Sequence, residues 1–291
     1  MNDNKYYFVR HGFSCANLYK YNIKDKNLIL KYYESSFFPK EGEGEDSILI
    51  ELGILQCIIS GYNFAKDGYK YDCVISSIMI RTIESAFFFL LGYNLINKNN
   101  TIIYLDENIK ESGGFFEKFY MKRSDLLREY KDLLNFCKKL KNPNFVEIIL
   151  EKTKEEFNNK ILELINKKTI ENFCKKIEFK DLSNQKNIFS KKNYDIQGFN
   201  INQFFNKINK LNFKNYLIFS HGVRIKDIRK ELCNIDDKKI MFNSGIFLYY
   251  KNKCSFINKD IIKKYQYEKI YENKNIKIKN SLCTLPNNFY Y

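Results

Sequence analysis

The chain alternates short β-rich apolar runs with longer stretches of helical periodicity, and this alternation limits the folds that it can adopt. The runs that predict strands are Tyr6–Val9, Tyr71–Ser76, Thr101–Leu105, Tyr216–Ser220 and Ile246–Tyr250. Helices are predicted at Ser47–Phe64 with Asp46 as N-cap, at Ile80–Leu91 and at Arg224–Leu232. Alternating strands and helices build βαβ units. We therefore predict an α/β three-layer sandwich, with a mostly parallel central sheet flanked by helices.

The length and composition suit one folded unit. Of the 291 residues, 44% are hydrophobic, which is enough for a full core, so we expect a single domain over residues 1–291. Residues from about 115 to 200 are rich in Lys, Glu and Asn, with helical stretches at Asp125–Leu140 and Phe145–Lys168. We expect them to form a helical insertion over the carboxyl edge of the sheet. Residues from about 261 to 291 begin with the Lys-rich stretch Ile261–Asn280 and predict a polar, solvated C-terminal extension.

Charge and cysteine usage indicate the surroundings of the protein. The formal net charge of +15 should attract anions such as phosphate esters or nucleic acid, although an AT-rich genome would also produce the Lys excess. The eight cysteines are widely spaced and form no CxxC pair, as is typical of a reducing compartment. A strand is predicted almost at the N-terminus, and no apolar run is long enough to span a membrane. We therefore expect a soluble cytoplasmic protein that makes no membrane contact and needs no metal or cofactor.

The chain has only two histidines, and each directly follows a predicted strand. His11 follows the first strand, and His221 follows the strand that ends at Ser220. Arg81 and Glu111 come shortly after two other strands. Because ligands of open α/β sheets bind at the carboxyl ends of the strands, we expect these four side chains to meet at one edge.

The neighbours of the two histidines suit the binding of an anion. Gly12 and Gly222 follow the histidines, and a glycine lets backbone N–H groups approach an anion closely. Arg10 and Arg81 could simply form ion pairs, but a guanidinium is also the preferred bidentate partner of phosphate oxygens. Other phosphoryl chemistries lack their motifs, since the sequence has neither a Cys followed six residues later by Arg nor a GxxxxGK[ST] loop.

Five motifs occur in the order found in one protein family. They are Arg10-His11-Gly12-Phe13-Ser14-Cys15-Ala16-Asn17, Leu52-Gly53 with Gln56, Ser76-Ser77 through Arg81 to Glu84-Ser85-Ala86, Leu105 through Glu111 to Gly114, and Ser220-His221-Gly222. The first resembles the RHGxSxxN signature of the phosphoglycerate-mutase-like branch of the histidine phosphatase superfamily. The others resemble the family's LTxxGxxQA helix, its SPLxRAxQTA segment, its acidic segment and its second histidine motif. The resemblance extends from residue 5 to residue 250 and is weakest in the insertion.

The resemblance implies a role for each matching residue. His11 would attack phosphorus and become phosphohistidine. Arg10, Arg81 and His221 would hold the phosphoryl oxygens and stabilise charge in the transition state, and Asn17, Ser14 and Gly222 would add neutral donors. Glu111 would protonate the leaving oxygen and then activate water. Glu107 is the alternative acid, although Ser112-Gly113-Gly114 favours Glu111 because the family places its acid before a Gly-containing stretch.

Departures from the mutase pattern favour hydrolysis over isomerisation. A cofactor-dependent phosphoglycerate mutase resembling this chain would have Glu at position 13 and an aromatic-Gly-Trp stretch before position 46, whereas this chain has Phe13 and no Trp. Phe13 would either lie at the mouth of the pocket or pack into the core. The acid-phosphatase branch has Asp after its second histidine, where this chain has Gly222. A phosphatase is therefore the leading interpretation, with a mutase-type phosphotransferase as the alternative.

The partner predicted by these motifs is a phosphorylated small molecule or phosphoprotein. The resemblance also allows a homodimer. A second alternative is a non-catalytic binding protein, because the Lys/Tyr-rich region 115–200 interleaves basic and aromatic residues, as single-stranded nucleic-acid binders do. The intact pair of histidines argues against it, since a degenerate site would have no need of them.

Overall fold

A computed structural model of the chain describes residues 3–15, 17–18, 47–109, 133–182, 200–235, 241–271 and 282. Its strands are β1 (Lys5–Arg10), β2 (Cys73–Ser77), β3 (Thr101–Asp106), β4 (Ile177–Asp181), β5 (Asn215–Ser220), β6 (Ile246–Tyr250) and β7 (Lys253–Phe256). Its helices are α1 (Glu51–Lys66), α2 (Ile80–Asn94), α3 (Pro143–Glu156), α4 (Lys160–Glu163), α5 (Lys167–Lys176), α6 (Ile201–Asn209), α7 (Gly222–Cys233), α8 (Lys259–Lys263) and α9 (Tyr267–Tyr271). Residues 133–140 are also helical, and Glu107–Ile109 form a 3-10 turn.

The described strands form one seven-stranded sheet in the order β4-β3-β2-β5-β1-β6-β7. The first five strands in this order are parallel to one another, whereas β6 is antiparallel to β1 and β7 is antiparallel to β6. The parallel strands β1, β5, β2 and β3 therefore all end at the same edge of the sheet. The segments that come directly after them in sequence are brought together there.

The sheet buries side chains on both faces, as the two-residue period of a strand requires. One face packs against α1 and α2 and includes Tyr7, Val9 and Phe219. The opposite face packs against α6 and α7 and includes Tyr6 and Phe8. Helices thus cover the sheet on both sides, and the predicted three-layer α/β sandwich with a mostly parallel sheet is confirmed.

The five predicted strands are confirmed to within two residues, and Ile246–Tyr250 has the predicted bounds. The sequence did not predict β4 or β7, two short strands at the edges of the sheet. Both are polar: β4 reads IEFKD and β7 reads KCSF. An edge strand buries less apolar surface, so it carries a weaker pattern. The predicted N-cap Asp46 lies outside the described residues, and Ile50 precedes α1 in the extended conformation.

The helical insertion over the carboxyl edge is not confirmed by the part that the structure describes, residues 133–182. The helices α3 and α4 pack against α1, and α5 packs against α2 and α3, so they extend an outer layer of the sandwich. Residues Ile177–Asp181 join the sheet as β4, beside β3. The apolar positions of these helices, such as Phe145, Ile149 and Phe173, are buried in the same core cluster as α1 and α2.

The described part of the C-terminal extension has buried and exposed positions side by side. Within residues 259–271, Ile262 is fully buried and Gln266 is nearly so, whereas Lys263 and Lys264 are exposed. The backbone N–H of Leu282 donates to Oε1 of Glu51 on α1 over 2.6 Å. The extension therefore packs on the domain by its apolar and amide side chains, and its lysines face outward.

The packing of α7 on β7 brings together two cysteines that are distant in sequence. Cys233 at the end of α7 lies next to Cys254 on β7, with their Cα atoms 6.2 Å apart. Cys57, Cys73, Cys137 and Cys174 are free and buried. The cytoplasmic location stays a prediction. None of the described helices has both the length and the apolar character needed to cross a bilayer.

Candidate active site

Three of the predicted functional residues meet at the carboxyl edge of the sheet. His11 follows β1 and His221 follows β5, and these adjacent strands pair with Arg10 opposite Ser220. The two imidazole rings lie 5.4 Å apart between centroids. Arg81 is in the first turn of α2, directly after β2, which pairs with the other side of β5. Side chains from three neighbouring strands thus converge, as the topology predicts.

The imidazole of His11 is held as a neutral ring with a defined tautomer. The ring is 3% exposed, and its Nδ1 lies 2.7 Å from the carbonyl oxygen of Gly12. Because a carbonyl oxygen can only accept, Nδ1 carries the proton and the lone pair is on Nε2. Burial lowers the pKa of His11 well below its ordinary value, and the positive charges of Arg81 and Arg10 lower it further.

The environment of His221 is different. The ring is fully buried, and its Nε2 lies 3.0 Å from the hydroxyl of Ser77 at the end of β2. His221 also precedes α7, whose first residue is Gly222. The N-terminus of this helix therefore lies at the same edge as the two histidines. Unpaired N–H groups and the helix dipole favour an anion at such a position.

Both arginines lie close enough to His11 for their charges to act on its ring. Arg10 donates a hydrogen bond from Nη1 to the carbonyl oxygen of Met241. Arg81 is 6% exposed, and its backbone carbonyl accepts a hydrogen bond from the Ser85 hydroxyl one turn later in α2. That hydroxyl in turn accepts from the N–H of Gly12 over 2.9 Å. Ser85 therefore ties the turn after β1 to the first turn of α2.

Ser14 and Asn17 form a local turn next to the site. The Oδ1 atom of Asn17 accepts from the N–H of Ser14 at 3.1 Å and from its hydroxyl at 3.2 Å. The same atom accepts from Nδ2 of Asn243 at 3.2 Å. The side-chain oxygen of Asn17 thus holds the backbone of the turn. The side-chain nitrogen, Nδ2, is a donor and is the atom of this residue that could bind an anion.

The predicted acid cannot be placed, because Glu111 lies outside the described residues. The alternative, Glu107, begins the 3-10 turn, but its side chain is not described. The end of this turn is fixed at the site, since the Ser220 hydroxyl donates to the carbonyl oxygen of Ile109 over 2.7 Å. Asp106 is a buried carboxylate at the end of β3, and it pairs with Lys207 at 3.0 Å.

Phe13 packs into the core and does not lie at a pocket mouth. It is 1% exposed, and its ring stacks on Tyr267 with centroids 5.0 Å apart. The chain passes close to α1 here: a Cβ on Gly12 would lie 2.5 Å from the carbonyl oxygen of Gly53 and 2.9 Å from Sγ of Cys57. Glycine at position 12 therefore serves close packing of the loop on α1.

Several residues that contact the site are not evident as site residues in the sequence. They are Ser77, Ser85, Asn243 and Ser244; the last two precede β6 and donate to the carbonyl oxygen of His11. Ser77 and Ser85 lie within the motif that runs from Ser76 to Ala86, so their positions carried a signal. Asn243 carried none, because its contact with His11 spans 232 residues of sequence.

The assembled groups suit the chemistry of a tetrahedral anion. A neutral imidazole with its lone pair on Nε2 lies among two guanidinium groups, a second imidazole and a helix N-terminus. Such an arrangement can hold a phosphoryl group and attack it. Within the described residues, no group of three or more His, Cys, Asp or Glu is arranged to hold a metal ion.

Comparison of the chain with protein-family models and with curated proteins finds no match. Among solved structures, it is similar to a mutant phosphoserine phosphatase from Entamoeba histolytica in complex with phosphoserine, at 16% identity and a TM-score of 0.40, covering 89% of this chain and 97% of that one. A phosphoglycerate mutase from Bacillus anthracis gives 15% identity, a TM-score of 0.44 and coverage of 91% and 96%. The ecdysone phosphate phosphatase of Bombix mori gives 12% identity and a TM-score of 0.42, and the match covers 87% of this chain and 92% of that one. These identities and TM-scores are low, so the function is proposed below from the residues of this chain.

Proposed function

We propose that the protein is a phosphatase of the histidine phosphatase superfamily, which hydrolyses a phosphate monoester through a phosphohistidine formed on His11. The observation that carries the proposal is the state of His11 itself. Its Nδ1 faces the carbonyl oxygen of Gly12, and its buried ring lies among cationic groups that lower its pKa. A neutral imidazole with an available Nε2 is what a nitrogen nucleophile requires.

In the first step, the lone pair on Nε2 of His11 forms a bond to phosphorus. The bond between phosphorus and the ester oxygen breaks, its electron pair stays on that oxygen, and an acid supplies a proton to the leaving alcohol. In the second step, water gives a proton to the same group and attacks phosphorus. The P–N bond breaks, the pair returns to Nε2, and inorganic phosphate leaves. One difficult displacement is thus split into two easier ones.

Charge on the phosphoryl oxygens would be stabilised by groups already in position. Arg10, Arg81 and His221 supply positive charge or hydrogen-bond donors, and the N-terminus of α7 at Gly222 supplies backbone N–H groups. Ser14 and Asn17 shape the turn beside them. Donors that are held before substrate binds need little reorganisation in the transition state, and the hydrogen bond from Arg10 to Met241 would hold one of them.

We assign the acid and base role to Glu111, with Glu107 as the alternative. The hydrogen bond from Ser220 to Ile109 supports this assignment, because it anchors the segment between these two glutamates beside His221. Asp106 is a poor candidate for the acid, since its carboxylate is buried and already paired with Lys207. The substrate is an ester of a small molecule or of a protein.

The test is release of inorganic phosphate from a panel of phosphate esters, including 3-phosphoglycerate, by the wild type and by His11→Ala. We expect the wild type to release phosphate and to form phosphohistidine detectable by mass spectrometry at alkaline pH, and His11→Ala to do neither. Activity retained by His11→Ala would contradict the mechanism. Isomerisation of 3-phosphoglycerate without release of phosphate would instead indicate the mutase-type phosphotransferase.

A further inference from the structure

The peptide unit between Gly12 and Phe13 makes a hydrogen bond at each of its polar groups, one of them to His11. The carbonyl oxygen of Gly12 accepts from Nδ1 of His11 at 2.7 Å. The N–H of Phe13, in the same peptide unit, donates to Oε1 of Gln56 at 2.9 Å. Because a peptide unit is planar, the direction of its N–H fixes the direction of its C=O. Whatever holds the N–H of Phe13 therefore also holds the acceptor that sets the tautomer of His11.

The side chain that holds this N–H is itself fixed at both ends. Gln56 lies on α1, is fully buried and donates from Nε2 to the carbonyl oxygen of Tyr265 at 2.6 Å. The N–H of Phe13 can only donate and the carbonyl of Tyr265 can only accept, so a flipped amide would face like groups at both contacts. The amide of Gln56 therefore has one acceptable orientation.

Tyr265 belongs to residues 258–267, which we call the C-terminal brace. A second arm of this brace reaches the same loop, because Gln266 bonds the backbone N–H and carbonyl of Asn243 at 3.2 and 3.3 Å. The Nδ2 of Asn243 then donates to the carbonyl oxygen of His11 at 3.3 Å. At the other end of the brace, Asn258 donates to the carbonyl oxygen of Ser244. The brace is thus connected to the His11 loop through Gln56 and through Asn243.

We propose that Gln56, oriented by the C-terminal brace, is a positioning residue for His11: it holds the Gly12–Phe13 peptide so that the proton stays on Nδ1 and Nε2 faces the substrate. The inference deepens the proposed function and rests on it. Gln56 is fully buried and its amide is bonded to Phe13 and Tyr265, so its effect should fall on the chemical step and not on substrate binding. Small displacements of a reacting group can cost large factors in rate.

The central experiment compares Gln56→Met with the wild type. Methionine keeps the length and volume of the side chain but removes both hydrogen bonds. At a temperature well below the unfolding midpoint of both proteins, we expect kcat for the preferred ester to fall by about ten- to a hundredfold, with KM changed by less than about twofold. Gln203→Met, at an exposed glutamine of α6, is the matched control and should behave as the wild type.

A conservative variant separates positioning from packing. In Gln56→Glu, the neutral carboxyl can accept from Phe13 and donate to Tyr265, whereas the ionised form can only accept. We expect this variant to recover activity lost in Gln56→Met at low pH and to lose it as the carboxyl ionises. An unchanged kcat in Gln56→Met, or a loss no greater than its loss of folded protein, would overturn the inference.

A spectroscopic reading tests the inference without relying on turnover. The chain has two histidines, which His11→Ala and His221→Ala assign in a ¹⁵N NMR spectrum of the side chains. We expect His11 of the wild type to carry its proton on Nδ1 alone, and His11 of Gln56→Met to show a mixture of tautomers. If the wild type hydrolyses no ester, the proposed function fails, and the tautomer still decides the role of Gln56. Identical His11 spectra in the two proteins would refute that role.

Discussion

The turns that contain the two histidines look alike in sequence and differ in structure. His11 and His221 follow adjacent parallel strands, and a glycine follows each of them. The His11 ring faces a backbone carbonyl, which can only accept a hydrogen bond. The His221 ring faces the hydroxyl of Ser77, which can donate or accept. One short motif therefore produces an imidazole with a fixed proton and another whose hydrogen-bond partner is compatible with either tautomer.

The path of the chain after each glycine explains the difference. After Gly12 the chain continues into a loop that packs closely on α1, and this contact leaves the Gly12 carbonyl directed at the His11 ring. Gly222 is instead the first residue of α7, where a backbone carbonyl points along the helix axis toward an N–H one turn later and not back toward the preceding ring. A nucleophile needs a fixed lone pair, whereas a group that stabilises developing charge gains from a helix N-terminus beside it.

The largest effect that would sharpen this comparison is expected from His221→Ala. We expect kcat to fall by about 10²–10³-fold, roughly 3–4 kcal/mol of transition-state stabilisation, because one donor to the phosphoryl oxygens is lost. Phosphohistidine should still form on His11, and single-turnover mass spectrometry would detect it. If the variant forms no phosphohistidine, like His11→Ala, then the two histidines do not have the separate roles assigned to them.

A smaller effect is expected from Ser77→Ala, which removes the hydroxyl that is hydrogen-bonded to Nε2 of His221. The loss of one hydrogen bond of about 1 kcal/mol corresponds to a decrease of roughly five- to tenfold in kcat. Ser76→Ala is a matched control, because this neighbouring buried serine bonds only the carbonyl of Ser77 in its own strand. Equal losses in the two variants would indicate disturbed packing of β2 and would not support a role through His221.

The fold could be predicted where the pattern was local and strong. The central strands bury both faces, so they appear in the sequence as apolar runs such as Tyr216–Ser220, which is buried throughout and was predicted to within one residue of β5. In the edge strand β4, apolar residues that are buried or partly buried alternate with exposed charged residues. This weak pattern was predicted as part of a helical insertion. In the described part of the C-terminal extension, many lysines surround a few buried positions that include Ile262 and Gln266, so the sequence shows little apolar pattern there.

The site could be predicted only in its outline. His11, His221 and Arg81 follow strands, and parallel strands end at one edge, so their meeting could be inferred from order alone. Their partners could not, because the hydrogen bonds are long-range: Ser77 is 144 residues from His221, and Tyr265 is 209 residues from Gln56. Whether Phe13 lies at a pocket mouth or in the core could not be decided from the sequence for the same reason, since its stacking partner Tyr267 is 254 residues away in the chain.

The smallest expected effect is an absence of change near the pH at which a free histidine titrates. An ordinary histidine has a pKa of about 6.5, but burial and the charges of Arg81 and Arg10 lower the pKa of His11 well below that value. In an NMR titration of wild type, assigned with His11→Ala and His221→Ala, the ring signals of His11 should not shift through pH 6.5. A titration midpoint near 6.5 would contradict the proposal that His11 is a neutral nucleophile, because His11 would then titrate like an ordinary surface histidine.

The same lowered pKa sets the direction in which stability depends on pH. Below about pH 6.5 the unfolded chain takes up a proton at His11 that the folded protein does not, so the free energy of unfolding decreases as the pH falls. This contribution is fully present above the unfolded pKa and is lost progressively until the pH reaches the lowered pKa of the folded state. His11→Ala lacks it, so urea unfolding of this variant should show a shallower decrease in stability over that range. Parallel curves for the two proteins would mean that folding does not hold His11 neutral, and the fixed lone pair on Nε2 would then lose its physical basis.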